Sequence, residues 1–130
     1  MGSWGIGVLE NDHALDIMPY LEKLEWDTLC CITGILLNSR NEDEKLLGIA
    51  IVDTVLNGKE DNIDNSWFDA LKTRFDDAIA HHVMLRFANE AFNGCTYLIE
   101  TGAIQWTREM RNSRKDLYWK YRDRLEKYVK

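Results

Sequence analysis

From Glu42 to Leu56 apolar side chains return every three or four positions, as Leu46, Leu47, Ile49, Ala50, Val52 and Leu56. That spacing matches the 3.6-residue turn of an α-helix, whereas a half-buried strand would alternate with a period of two. Glu42, Asp43 and Glu44 favour the positive end of the helix dipole, and Asn57-Gly58 supplies a stop. Segments of this kind bury one stripe each against a neighbour, so a chain made mainly of them is expected to be an all-α single-domain bundle spanning residues 1–130, with about five to six helices.

The remaining segments fit that scheme. Asn11 or Asp12 can cap a helix carrying Ala14, Ile17, Met18, Leu21 and Leu24, and Pro19 requires a kink or a fresh start inside it. Thr28 to Leu37 is almost wholly apolar with Gly34 as an interruption, which favours a buried helix over a central strand. Ser66 and Asp69 resemble a capping box that opens a long pattern through Trp67, Leu71, Phe75, Ala78, Ile79, Val83 and Phe87, with room for a break near His81 and an expected stop at Asn93-Gly94. A short helix over Cys95 to Thr101 should end at Gly102. The last should run from about Ala103 to Tyr128 with Met110, Leu117, Tyr121, Leu125 and Tyr128 on one side, and Asn112-Ser113 is a point where it can divide.

Trp4, Gly5, Gly7, Asn11 and Asp12 crowd the start of the chain, where SWGIGVLE is the segment able to run extended. Trp4 can plug the space between helices, and glycine permits backbone geometries closed to other residues, so a structural staple is the physical reading of this cluster. With Ala14 and Asp16 it completes the pattern W-G-x-G-x-x-x-N-D-x-A-x-D, which resembles the opening of an uncharacterised bacterial family, the domain of unknown function 4259. Leu9 stands where that family usually carries an aromatic. The resemblance implies a small acidic protein of about this size and brings no catalytic residues with it.

Charge is distributed unevenly. The net charge is −6, but residues 1–65 hold 13 acids against 4 bases and residues 66–130 hold 9 acids against 12 bases. Glu42, Asp43 and Glu44 form one acidic cluster, and Glu60, Asp61 and Asp64 form another with Trp67 close by. Such clusters steer basic partners and repel phosphates, so nucleic acid is not an expected ligand; two solvated faces or an internal salt-bridged contact is the alternative reading of the same charges. The basic stretch 107–130 interleaves Tyr118, Trp119 and Tyr121 with its charges, but the aromatics recur at helical spacing and are expected to serve mainly the core.

No pattern of catalytic residues stands out. There is neither a GxSxG elbow nor a P-loop, and Gly5 and Gly7 alone do not make a phosphate cradle. Asp77 and His81 share a helical face, but adjacent His81 and His82 point about 100° apart, so no metal and no cofactor is expected. Cys30, Cys31 and Cys95 are odd in number and form no CxxC pair, so they are expected to be reduced, the first two as small buried hydrophobes. Without an apolar run of bilayer length or a basic leader, the expected compartment is the cytoplasm, with no membrane as partner.

These features together point to a small acidic protein-binding module that is not an enzyme. The expected role is that of an immunity protein whose partner is a cognate bacterial toxin, such as a nuclease. A housekeeping scaffold that forms homo-oligomers through its aromatic last helix is the alternative, and a small enzyme of unrecognised type the third. The candidate partner-binding residues are Glu42, Asp43, Glu44, Glu60, Asp61, Asp64 and Trp67.

Overall fold

A computed structural model describes residues 26–57, 78–102 and 107–129. Five α-helices are present among them: α1 (Trp26–Leu37), α2 (Glu42–Asn57), α3 (Ala78–Met84), α4 (Ala88–Thr101) and α5 (Arg108–Leu125). A 3-10 turn at Leu85–Phe87 joins α3 to α4 and another, Glu126–Tyr128, extends α5, which makes four helical rods with no strand among the described residues. The all-α class is as expected. The number of rods is below five to six; the helix expected over residues 12–24 and the opening turns of the long pattern from Ser66 lie outside the described residues.

α1 and α2 pack against each other, and the short connection between them is closed by local hydrogen bonds. Asn41 caps α2 by accepting the amide of Glu44 at 3.0 Å, and the Ser39 hydroxyl donates back to Glu44 Oε1 at 3.1 Å. Lys45 Nζ donates to the Leu37 carbonyl at 2.5 Å, satisfying the end of α1 and placing a cation where that helix dipole is negative. Gly48 sits at the crossing: a Cβ there would lie 3.0 Å from both Leu36 Cβ and the Leu37 backbone nitrogen, so only glycine lets the two backbones approach this closely.

α2 is the axis of the molecule. Every residue from Leu46 to Leu56 is buried, including Asp53 and Thr54, because α1, α3, α4 and α5 all pack against it. The core adds Leu29, Leu36 and Leu37 from α1, Met84 from α3, Ala88, Ala91, Cys95 and Leu98 from α4, and Tyr118, Tyr121 and Leu125 from α5.

Three helix boundaries differ from those expected from sequence. Asn93-Gly94 does not stop a helix: α4 runs through it, and the missing side chain at Gly94 accommodates Ile49, whose Cδ1 would lie 3.3 Å from an added Cβ. The irregular turn falls at Leu85–Phe87 instead of near His81. α5 begins at Arg108, not Ala103, because the Thr107 side chain accepts the Met110 amide and caps it, and the helix passes through Asn112 and Ser113 undivided. Its buried stripe is Arg114, Tyr118, Tyr121 and Leu125, while Met110 is exposed and Leu117 half-buried. A buried arginine in that stripe is the reason apolar spacing alone misplaced it.

Candidate protein-docking face

Two polar clusters tie α5 to α2. In the first, fully buried Arg114 donates from Nη2 to Asp43 Oδ1 at 2.7 Å and from Nε to the Tyr118 hydroxyl at 3.0 Å, and that hydroxyl donates to Glu42 Oε2. In the second, Arg124 Nε lies 2.9 and 3.0 Å from the two oxygens of buried Asp53. Asn57 Nδ2 donates both to Asp53 and to the Arg124 carbonyl, and the Tyr128 hydroxyl lies 2.9 Å from Asn57 Oδ1. Both Asp–Arg pairs join residues 71 positions apart, so α2 and α5 run parallel in fixed register. A slip by one residue would break both pairs at once and strand buried charges, which is how such pairs confer specificity on a bundle.

This geometry settles where the first acidic cluster points. Glu42 and Asp43 turn inward to Tyr118 and Arg114, and Glu44 binds Ser39. The carboxylates of Glu42 and Asp43 are thus engaged within the fold. Glu60, Asp61, Asp64 and Trp67, like Trp4, Gly5, Gly7, Asn11 and Asp12, lie outside the described residues.

Two titratable groups of the core are held in their neutral forms. Burial pushes the Cys95 thiol well above the usual range, with Asp53 adding to the effect and Arg122 opposing it. Burial likewise raises the Tyr118 phenol, partly offset by Arg114 and reinforced by Glu42, so it remains a neutral donor. His81 packs edge-on against Tyr128 with ring centroids 5.9 Å apart, and His82 is exposed. Of the two adjacent cysteines, Cys30 is half-buried and Cys31 exposed, so only part of that pair fits the expected buried role.

What stands out on the exterior is the face shared by α4 and α5. Thr96 on α4 comes beside Arg122 on α5, and Gly102 beside Tyr118, so these two helices are antiparallel. Arg122 donates from Nε to Thr96 Oγ1 at 3.0 Å, and its guanidinium carbon lies 4.3 Å from the Phe92 ring centre and 5.2 Å from that of Trp119. Trp119 remains 46% exposed although it belongs to the aromatic run expected to fill the core. Trp119 and Arg122 are three residues apart and therefore on one face of α5, a signal present in the sequence as WKYR but masked there by the neighbouring core tyrosines. The other exposed aliphatic of note is Ile35, 69% exposed beside a shallow groove lined by Cys30, Cys31, Gly34 and Asn38.

No family model, curated protein or solved structure matches this chain. No described helix is long and apolar enough to cross a membrane.

Proposed function

We propose that this chain is a protein-binding module that acts by occupying another protein's surface, and that its docking face is the outer side of α4 and α5. The observation that carries the reading is the Trp119–Arg122–Phe92 cluster, a half-exposed tryptophan against an arginine held in one conformation. Tryptophan and arginine are the side chains whose burial contributes most to protein interfaces, and an arginine already ordered loses less entropy on binding.

Within that class we assign it the role of a cytoplasmic immunity protein that occludes a bacterial toxin. Support comes from the division of charge along the sequence, where residues 1–65 hold 13 acids against 4 bases. An excess of this kind accelerates encounter with a basic cleft, such as that of a nuclease, and the ordered face then forms the short-range contacts. Membership of the family that the opening motif resembles belongs to the same proposal. Affinity capture from the native host tests it. The expected result is retention of one protein by the wild-type chain and its loss on Trp119→Ala; a chain that retains no protein at all would overturn the reading. Self-association through α5 is the second reading, favoured by the same exposed Trp119, and a dimer in sedimentation at micromolar concentration that Trp119→Ala dissociates would establish it instead.

A further inference from the structure

The guanidinium of Arg122 has more hydrogen-bonding capacity than the fold uses. Its partners in the molecule are Thr96, through Nε, and the faces of Phe92 and Trp119. No carboxylate of a described residue forms an ion pair with it, in contrast to Arg114 and Arg124, which are each committed to a buried aspartate. The Thr96 hydroxyl in turn lies 3.5 Å from the Phe92 carbonyl, so the residue that holds Nε is itself tethered to the turn carrying the stacked ring. The outcome is a planar fork fixed at its base, with both Nη groups left to donate.

We infer that Arg122 is a receptor for a single carboxylate, an aspartate or glutamate side chain presented by the partner protein next to an apolar residue that covers Trp119. This rests on the protein-binding reading above and names the chemistry of the contact. A fixed guanidinium matches a carboxylate with two parallel hydrogen bonds, and desolvation by the flanking rings strengthens both. Shape argues for one carboxylate, since a single planar fork pairs with a single planar acid. Around the fork the helix carries both signs, Asp116, Asp123 and Glu126 alongside Lys115, Lys120 and Lys127, so the contact is selected by the geometry of the fork and the phosphate alternative is an arm of the test.

The test is a titration of the nitrogen-15-labelled full chain, following the Arg122 Nε–H and Trp119 Nε1–H resonances. Three probes are used: a short peptide alternating leucine and glutamate, its leucine–glutamine counterpart, and a short oligothymidylate. The glutamate peptide is expected to shift both resonances saturably in the millimolar range, with no saturation by the other two. Arg122→Lys, which keeps the charge but loses the fork, should weaken binding about tenfold, and Arg122→Gln should abolish it. Equal binding of the glutamine peptide would show a purely apolar surface, and equal binding of the oligothymidylate a phosphate site. Either of these, or no saturation with any probe, overturns the inference. A captured protein lost on Trp119→Ala but fully retained on Arg122→Gln would overturn it while leaving the docking face in place.

Discussion

Removing the carboxylate of Asp43 should be among the most damaging single changes open to this fold. Its partner Arg114 is fully buried, so Asp43→Ala leaves a buried guanidinium without the 2.7 Å contact. Breaking a buried pair in this way costs about 3–5 kcal/mol. Glu42 Oε2, 3.8 Å from Arg114 Nε, compensates in part, which places the expected loss near the lower end, about 3 kcal/mol. Against a total stability of about 5–15 kcal/mol, and with a urea dependence of about 1.5 kcal/mol per molar, the unfolding midpoint should fall by about 2 M. The double variant Asp43→Leu with Arg114→Met removes both charges and should recover most of the loss, because two apolar groups of similar size tolerate burial without partners. Urea titration followed by circular dichroism measures all three variants. A loss under about 0.5 kcal/mol for Asp43→Ala, as for an ordinary surface site, or a double variant as unstable as the sum of the singles, would refute the assignment of a buried pair.

Two further predictions use the same assay. Gly48→Ala should destabilise by about 1–2 kcal/mol, since its Cβ meets the Leu37 backbone nitrogen at 3.0 Å and overpacking outweighs the gain in helix propensity; Gly94→Ala, which meets only the flexible end of Ile49, should be neutral or stabilising by up to about 1 kcal/mol. Stability should also fall in alkali: Cys95 and Tyr118 hold their protons in the fold beyond the pH at which the unfolded chain releases them, so each contribution is complete below about pH 8.5 or 10 respectively and declines above it by up to about 1.4 kcal/mol per pH unit. Cys95→Ala should flatten the earlier part of that decline, and an unchanged profile would show that its thiol titrates normally.

The helical class was legible because it rests on periodicity, which the backbone imposes directly. α2 matches its expected span from Glu42 almost to the residue, since acids, apolar stripe and Asn-Gly stop all agree there. Where local signals were overruled, tertiary contact was responsible. Asn93-Gly94 reads as a terminator in isolation, yet α4 continues through it with Gly94 packed against the Ile49 side chain of α2. The fate of Glu42 and Asp43 was hidden for the same reason: their partners Tyr118 and Arg114 lie more than 70 positions away, and no local pattern distinguishes an acid bound for a buried arginine from one facing water. The aromatics of the last helix were expected mainly in the core without saying which would stay outside, although one-residue steps along a helix turn by about 100° and Tyr118 and Trp119 cannot face the same way.

The claim on which the functional account turns is that another protein docks on Trp119 and its surroundings. Calorimetry of the captured partner against the wild-type chain, Trp119→Ala and, as a control at an exposed apolar position on α1, Ile35→Ser measures it directly. The account predicts that Trp119→Ala weakens binding by about thirtyfold or more, the effect of losing a central anchor, while Ile35→Ser leaves the affinity unchanged. An unaltered affinity for Trp119→Ala, or a loss confined to Ile35→Ser, would contradict it.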